Sequence, residues 1–376
     1  MDLEFTADQE ELRTSVRAVL ARECPPSLVR EVVEKGTPAD DLWTAMVDLD
    51  WPALTIDPEY GGLGLGFVEL AVVVEELGRA IAPGPFLPTV SQFVPGIREA
   101  GTAEQRRRFL GDVAAGRITG TLAVAEQSGS WAGEDVGLVA RRHGDGWILH
   151  GSKHYVAEGA AADELVVAAR LDGTEGPHGL ALFIVPGEAV EATALQALDA
   201  SREYATVDLD GVTVGPDRVL GDPGSCAPVL ARVVEEASTA LALEMVGTCQ
   251  SIFDIALEHA KTREQFGSPI GSFQAMKHKF ADMFVALESA RAVCYFASAT
   301  LAEDDERRSL AASMAKAASG DCQRLLAQEG LQSLGGIGYT WEHDMHLYVK
   351  RAKSGDAVFG TARDHRSRVA SLSGLT

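Results

Sequence analysis

The chain has 376 residues, of which 46% are hydrophobic and 23% are charged. This composition is that of an ordinary soluble globular protein, which excludes disorder as the default, and the length suits two or three packed units. A formal net charge of −22 predicts an acidic surface, which excludes nucleic acid and anionic membranes as favoured partners.

Five cysteines are scattered along the chain, and none belongs to a C-x-x-C pair: Cys24, Cys226, Cys249, Cys294 and Cys322. Their odd number and wide spacing argue against a disulfide framework or a zinc ribbon. We therefore expect reduced thiols and a cytoplasmic location. The sequence opens with an acidic stretch rather than a basic region and an apolar core, and no uninterrupted apolar run reaches the ~18 residues that span a bilayer. We predict neither export nor membrane insertion.

The first third of the chain has the apolar periodicity of helices. Thr6 is a predicted N-cap, and the helix that follows has one apolar face made by Leu12, Val16, Val19 and Leu20. The proline- and glycine-rich run 57–64 predicts a turn. The apolar run 67–77 predicts a helix that ends before Gly78, and the run 105–115 predicts another helix. This region is expected to be an all-helical lobe.

Between about Arg117 and Gly221 the periodicity changes to that of short strands. Four aliphatic runs carry this pattern: 120–124, 146–149, 165–168 and 180–185. Turn signals separate the runs, including Gly144-Asp145-Gly146 and Asp210-Gly211. The pattern predicts an antiparallel β-barrel or sandwich inserted between helical parts.

From about Val229 the helical pattern returns in longer runs. Three of them exceed the length of an average helix: 242–262, 273–300 and 308–334. Long helices joined by short connections are typical of a four-helix bundle.

The most informative motifs follow two of these long helices. The first is Arg263-Glu264-Gln265-Phe266-Gly267 with Gln274 close behind, and the second is Gln332-Ser333-Leu334-Gly335-Gly336-Ile337-Gly338-Tyr339. A cofactor that carries a diphosphate needs a fixed guanidinium for paired hydrogen bonds, and glycines where the backbone must approach closely. Together the two motifs resemble the flavin-diphosphate site of the acyl-CoA dehydrogenases.

The resemblance covers essentially the whole chain, and two further stretches match the family: 59–64 and Gly151-Ser152-Lys153. It implies an α+β multidomain fold. We expect an N-terminal α-helical domain at residues 1–117, a middle β domain at 118–222, and a C-terminal four-helix bundle domain at 223–376.

The cofactor implied by the resemblance is FAD, lying at a subunit interface. Side chains and glycines of one chain would reach the diphosphate and adenosine of its neighbour's cofactor: Arg263, Phe266, Gln274, Gln332, Gly335 and Gly336. Thr361 matches a position that contacts the cofactor near its own chain's site. A lone arginine at a helix end usually forms a surface ion pair, but the motif around Arg263 favours the cofactor.

The chain's own side of the flavin pocket departs from the family pattern. The usual Thr-Glu-Pro and Gly-Ser-Asp motifs are replaced by a shorter segment at 125–131, in which the matching residues are Glu126, Gly129 and Ser130. The usual Trp-Ile-Thr is replaced by Tyr155-Val156-Ala157. Tyr155 can still stack on the isoalloxazine, whereas Ala157 has no hydroxyl group. We expect a modified flavin site, or one completed by a different partner chain.

The catalytic base expected from the resemblance is missing. Oxidation of an acyl thioester between its α and β carbons requires a carboxylate within ~3 Å of the α proton, in a pocket dry enough to tune its pKa. Most family members place a glutamate where this chain has Phe359. A minority place it near the start of the first bundle helix, where this chain has Ala237.

Glu244 is the best single candidate for a relocated base. It lies in an apolar run, seven residues from Ala237, which is two helical turns and therefore the same helix face. The shift of ~10 Å along the helix axis argues against it. The structural alternatives are a buried Glu244 bonded to an arginine or the backbone, and Glu235 and Glu236 at a solvated helix start.

A metal site is a further interpretation, of the segment 341–346, which contains His343 and His346 three residues apart. No third-ligand motif accompanies them. We predict no metal, and histidines satisfied by hydrogen bonds.

Three functions remain open. The first is an FAD-dependent acyl-CoA dehydrogenase that forms a trans-2-enoyl-CoA, either self-sufficient with a relocated base or as one subunit of a mixed assembly that resembles the bacterial heterotetrameric steroid and fatty acyl-CoA dehydrogenases. In the mixed assembly this chain would be the base-less subunit that completes the flavin site. The expected partners are an acyl-CoA substrate, an electron-transfer flavoprotein or similar acceptor, and related chains in a homo- or heterotetramer. The second is a flavin-free, redox-inactive scaffold. The third is a carrier-protein-linked acyl dehydrogenase.

Overall fold

A computed structural model describes residues 5–176 and 178–375. The chain divides into two compact units. The helical unit comprises Met1–Thr37, Phe67–Ala82 and Ser238–Thr376, and the sheet unit comprises Pro38–Gly66 and Pro83–Ala237.

Thirteen α-helices occur in the described ranges. Their bounds are α1 Ala7–Glu23, α2 Pro26–Lys35, α3 Asp40–Asp48, α4 Phe67–Ala80, α5 Phe86–Pro88, α6 Val94–Ala100, α7 Ala103–Gln105, α8 Gly111–Ala114, α9 Ala227–Thr262, α10 Gln274–Ala302, α11 Arg308–Leu334, α12 Met345–Ala357 and α13 Ala362–Leu372. The three long C-terminal helices predicted from the sequence are thus confirmed, and α9 begins earlier than the run at 242.

Twelve strands occur in the same ranges. Their bounds are β1 Gly120–Ala123, β2 Val139–His143, β3 Gly146–His150, β4 Ser152–Ala157, β5 Glu164–Leu171, β6 Leu180–Pro186, β7 Glu191–Ala194, β8 Tyr204–Asp208, β9 Val212–Val214, β10 Val219–Gly224, β11 Glu264–Gln265 and β12 Ser268–Pro269. All four predicted strands are present, and the turns at Gly144 and Asp210 join β2 to β3 and β8 to β9.

The first helix starts where its sequence indicates. The Thr6 hydroxyl accepts a hydrogen bond from the N–H of Gln9, whose side chain accepts from the N–H of Thr6, so both ends of a capping box are made. Val16 and Leu20 are buried on the predicted face. The cap and the apolar stripe therefore fix α1 locally.

Helix α4 continues through Gly78 to Ala80, so the predicted end before Gly78 is wrong. A Cβ atom built on Gly78 would lie 2.1 Å from the carbonyl oxygen of Glu244 in α9. A Cβ atom on Gly247 of α9 would lie 1.9 Å from the carbonyl oxygen of Glu75 in α4. Gly78 therefore allows two helix backbones to pack closely and does not end α4.

The predicted β-barrel is wrong, because the sheets of the sheet unit are open. One sheet has the strand order β10-β6-β5-β2-β3-β9, with β1 pairing to β5, and a second has the order β4-β8-β7. The pairings are also not all antiparallel: β5 runs parallel to both β1 and β2. A closed barrel would need the two end strands to pair, and β10 and β9 do not.

A shared hydrophobic core joins the two sheets. It takes buried side chains from both, including Leu149, Val167 and Phe183 of the larger sheet and Val156 and Val207 of the smaller one. The sandwich half of the prediction therefore describes the packing. Helices precede and follow this β region along the chain, so the predicted α+β fold class is confirmed.

Helix α9 is long and apolar enough to cross a membrane by length and composition alone. However, 72% of its most apolar window is buried inside the protein, as in the core helix of a folded domain.

Candidate functional site

The two sequence motifs lie at the same end of the helical unit. Arg263 follows the end of α9, and Gln274 begins α10 after the short β11–β12 hairpin. Helices α10 and α11 are neighbours joined by a short connection, so α10 begins where α11 ends. An ion pair between Lys279 of α10 and Glu329 of α11 links these two ends. Gln332 and the glycines therefore lie beside the start of α10.

The tip of the β11–β12 hairpin presents an exposed aromatic ring. Phe266 and Gly267 form the two-residue turn with φ angles of 54° and 80°, a conformation that favours glycine or asparagine. The Phe266 side chain is 95% exposed, and its ring meets Phe273 edge-on at 6.3 Å. A phenylalanine in a strained turn and in water has little to stabilise it within the chain, which points to a ligand or a partner.

The polar residues of the same surface are available to a ligand. The side chains of Arg263, Gln274 and Gln332 are exposed and make no hydrogen bond to any described residue. Cβ atoms built on Gly335 and Gly336 would meet no atom within 4 Å. A guanidinium, two amides and an open glycine backbone suit a phosphorylated ligand such as a diphosphate.

A groove of about 430 Å³ adjoins this surface. It is lined by Leu257, Ala260, Lys261, Pro269, Gly271, Lys277 and Phe280. An apolar floor between two lysines is compatible with an anionic, partly apolar ligand.

The loop after α12 places Phe359 and Thr361 in fixed positions. Phe359 is buried with φ 58°, and Gly360 follows with φ 98°. The Thr361 hydroxyl donates to the Asp364 carboxylate at 2.7 Å and caps α13. Thr361, a predicted cofactor contact, therefore donates its hydroxyl proton to Asp364 in this conformation.

Glu244 is buried in an ion pair. Its Oε1 atom lies 2.9 Å from Nη1 of Arg351, and the arginine also donates to the carbonyls of Ile81 and Ala82 at 3.2 Å each. This is the structural alternative that the sequence left open for Glu244. Its role as a base stays a prediction.

The other two carboxylates of α9 are buried, so the expectation of a solvated helix start is wrong. Glu235 is 4% and Glu236 is 2% exposed. The Glu236 carboxylate accepts hydrogen bonds from Arg98 at 2.5 Å and from Arg232 at 2.9 Å. These arginines, distant in sequence or one turn away, supply the charge that makes burial possible. Ala237, the second position at which the resemblance predicts a base, is also buried.

In the sheet unit, Glu126 is the centre of a hydrogen-bonded cluster. Its Oε1 atom accepts from the N–H groups of Gly137 and Leu138 and from Nζ of Lys153, at 2.8–2.9 Å. Burial opposes ionisation of Glu126, yet the Lys153 ammonium and the two amides keep the pKa of the carboxyl below its usual value. Burial lowers the pKa of Lys153 to about 8, against the opposing attraction of Glu126.

Lys153 belongs to the stretch Gly151-Ser152-Lys153 of the sequence analysis, but its pairing with Glu126 was not predicted. The residues around it, Gly151, Ser152 and His154, form no apolar pattern from which its burial could be predicted. Lys153 is fully buried and also donates to the carbonyl of Val124 at 2.9 Å. It therefore ties the segment after β1 to β4.

This tie also brings the loop that carries Ser130 close to Tyr155. The N–H of His154 donates to the carbonyl of Ala125, and a Cβ atom on Gly129 would lie 3.8 Å from the Tyr155 ring. Tyr155 has φ 57° in an irregular part of β4 and is 41% exposed, so part of its side chain is accessible to a ligand. The Ser130 hydroxyl donates to Asp135 at 2.6 Å. Its proton is therefore used within the loop.

A polar groove of about 460 Å³ lies beside this loop. Its lining residues are Glu126, Gln127, Ser128, Asp135, Gly137, Leu138, His150, Gly151, Ser152 and His154. The shortened segment 125–131 forms one of its walls.

The histidines of the segment 341–346 are held by local contacts. His343 Nδ1 accepts from the N–H of Met345 at 3.0 Å, and the His346 ring stacks on Trp341 at 4.5 Å. Within the described ranges, no group of three or more His, Cys, Asp or Glu side chains is arranged to hold a metal ion.

Comparison with protein families decides the assignment. The acyl-CoA dehydrogenase N-terminal domain matches residues 6–117, and the acyl-CoA dehydrogenase C-terminal domain matches residues 229–372. The chain belongs to the acyl-CoA dehydrogenase family. Members of this family are FAD-dependent flavoproteins, and this chain is an oxidoreductase of the class that acts on the CH–CH bond of acyl-CoA.

Individual relatives match over nearly their full length. Acyl-CoA dehydrogenase IpdE2 of Mycobacterium tuberculosis is 30% identical over 370 residues, covering 97% of this chain and 96% of the relative. A variant of the Tcur3481–Tcur3483 steroid ACAD is 28% identical with a TM-score of 0.86, covering 98% of both chains. The glutaryl-coenzyme A dehydrogenase in complex with glutaryl-CoA is 25% identical with a TM-score of 0.92, covering 100% of this chain and 98% of the other.

Proposed function

We propose that this chain is the base-less subunit of a mixed acyl-CoA dehydrogenase assembly, in which a related chain supplies the catalytic glutamate. The assembly would oxidise an acyl-CoA thioester to the trans-2-enoyl-CoA with FAD as cofactor. One observation carries the proposal: Phe359 and Ala237, at both family base positions, are buried and apolar, whereas the surface that suits a diphosphate is intact and exposed.

The residues of this chain would bind and orient the cofactor. FAD, when bound, supplies the acceptor for the hydride that leaves the β carbon. Arg263 and Gln332 would hydrogen-bond the diphosphate, Gly335 and Gly336 would let the ligand approach the backbone, and Phe266 would lose its exposure on assembly. The face of Tyr155 would stack on the isoalloxazine if the chain's own site is used.

A partner chain would complete what this chain lacks. The α proton must be removed by a carboxylate, and neither base position offers one here. The name of one similar structure joins two components, Tcur3481 and Tcur3483, which supports an assembly of unlike chains. We place the assembly in the cytoplasm as a tetramer, with an electron-transfer flavoprotein or a similar protein as the electron acceptor.

The second candidate is a self-sufficient dehydrogenase in which Glu244 is the base. The burial of the Glu244 carboxylate favours it, because a base needs a dry environment. The ion pair with Arg351 favours the mixed assembly, since it gives this carboxylate a structural role.

The test is purification of the chain alone and together with a dehydrogenase-like chain encoded nearby that has a glutamate at either base position. We expect the chain alone to be colourless, or yellow but not bleached by acyl-CoA esters under anaerobic conditions. The assembly should be yellow and should bleach. Substitution of the partner's glutamate by glutamine should abolish bleaching, whereas Glu244→Gln in this chain should not. Bleaching of the isolated chain would overturn the proposal and favour the self-sufficient enzyme.

A further inference from the structure

A buried lysine outside the cofactor-binding residues holds the loop that follows α12. Lys316 lies in α11 and is fully buried. Its Nζ atom donates to the carbonyls of Gly355 at 2.9 Å, Asp356 at 3.1 Å and Gly360 at 2.9 Å. All three N–H bonds of the ammonium group are thus used, two at the end of α12 and one in the loop.

A buried histidine holds the neighbouring residue of the same loop. His365 of α13 donates from Nε2 to the carbonyl of Phe359 at 2.9 Å, and its Nδ1 atom is buried without a hydrogen-bond partner in the described chain. Burial lowers the pKa of this ring to about 4, so at neutral pH the ring is uncharged and its single proton lies on the donating Nε2. Two consecutive carbonyls, of Phe359 and Gly360, are therefore each fixed by a side chain from a different helix.

The loop held by these bonds has a backbone that its sequence does not favour. Phe359 has φ 58°, a left-handed conformation that is unfavourable for a bulky side chain, and Gly360 follows with φ 98°. A strained backbone of this kind persists only when its surroundings impose it. Close packing contributes as well, because a Cβ atom on Gly320 of α11 would lie 2.4 Å from Oδ1 of Asp356.

We propose that Lys316 and His365 are positioning residues, which clamp the turn Phe359-Gly360-Thr361 and thereby orient the Thr361 end of the cofactor site. If Lys316 only capped α12, its bonds to Gly355 and Asp356 would suffice. The bonds to Gly360 and Phe359 reach beyond the helix and fix the turn itself. The role of the clamp in cofactor binding rests on the proposed function, whereas the clamp on the turn does not.

Burial of the Lys316 ammonium makes the clamp sensitive to pH. Burial lowers the pKa of Lys316 to about 8, while the carboxylates of Asp356 and Asp364 oppose this change. His365 is a further titratable group beside Lys316. The pKa of the His365 ring is lowered to about 4, so the ring stays neutral above that pH. Above pH 8 the neutral amine has two N–H donors for three carbonyls, so one bond is lost.

The test is hydrogen exchange of the peptide that covers residues 355–365, measured by mass spectrometry on the assembled protein, together with the rate of FAD release. Lys316→Met should raise exchange in this peptide at least tenfold and accelerate FAD release, with helix α10 unchanged. Lys353→Met is the matched control, because Lys353 is exposed on α12, and it should change neither quantity.

Wild-type protein at different pH values provides a second measurement if Lys316→Met does not fold. After correction for the intrinsic rate, exchange in the peptide should rise above pH 8 while α10 stays protected. Unchanged exchange in the variant, or no local rise with pH in the wild type, would overturn the clamp. Greater exchange with unchanged FAD release would overturn its positioning role. Absence of FAD from every assembly would refute the proposed function, and the exchange result would still decide whether the turn is clamped.

Discussion

The carboxylate of Glu244 and the guanidinium of Arg351 lie 2.9 Å apart, and both side chains are almost fully buried. The same arginine donates to the carbonyls of Ile81 and Ala82. Ile81 has φ 45°, an unfavourable conformation for a β-branched residue, just after the end of α4. The ion pair therefore connects α9 and α12 to a strained turn, and Glu244 is part of the packing of the helical unit.

Substitution of this glutamate should act first on stability. We expect Glu244→Gln to lower the free energy of unfolding by about 3 kcal/mol, because it removes the buried negative charge that pairs with the Arg351 guanidinium. Urea unfolding of the chain measures this change. Glu258→Gln, at an exposed carboxylate in the same helix, is the control and should change little. An unaltered stability combined with loss of substrate bleaching would instead identify Glu244 as the base.

The crossing of α4 and α9 should not tolerate a methyl group. We expect Gly247→Ala to cost about 3 kcal/mol or more, because its Cβ atom would lie 1.9 Å from a backbone carbonyl oxygen that cannot move without shifting the helix. Thermal unfolding provides the measurement. The control is Gly336→Ala, whose Cβ atom would meet no atom within 4 Å and whose effect should stay within about 0.5 kcal/mol. Equal melting temperatures for the two variants would show that the helices can separate at no cost.

Local sequence signals predicted the elements well. Thr6 with Gln9, the Gly144-Asp145 turn and the long apolar runs identify a cap, a hairpin and three bundle helices because each rests on neighbouring residues alone. Gly78 misled for the opposite reason. Its local meaning is a helix stop, but its neighbour in space is Glu244, and no local pattern reveals which backbone a glycine will contact.

The site was predictable only in part. The Arg263 and Gln332 motifs follow helices that the sequence locates, so their place at the same end of the helical unit could be expected. The burial of Glu236 could not be expected, because it depends on Arg98 from far along the chain. Lys153 and Lys316 were likewise missed, since lysine is normally exposed and only the fold shows which carbonyls surround it. The open edges of the sheets depend on strand order, which strand periodicity does not encode.

The geometry of Arg263, rather than its charge alone, should determine cofactor retention. We expect Arg263→Lys to weaken FAD binding by the assembly about tenfold, because lysine keeps the charge but loses the planar pair of donors. Equilibrium dialysis or flavin fluorescence measures the dissociation constant. Arg324→Lys, the same substitution at an exposed arginine of α11 that lines neither groove, should change it less than twofold. An equal effect of Arg324→Lys would mean that the loss does not depend on the position of the guanidinium.

The stability of the chain should fall in mild acid because of His365. Burial, helped by the nearby Lys316 ammonium, lowers the pKa of the His365 side chain from 6.5 to about 4. The unfolded chain therefore binds a proton below about pH 6.5 that the folded chain does not bind until about pH 4, so this contribution is present above pH 6.5 and is lost as the pH falls. The expected loss between pH 7 and pH 5 is about 2 kcal/mol.

Urea unfolding of the wild type and of His365→Gln at both pH values measures this loss of stability. The variant keeps a donor for the Phe359 carbonyl but cannot titrate, so its loss over this interval should be smaller by that amount. An equal loss in the two proteins would show that His365 is protonated in the folded state and that other groups control acid stability.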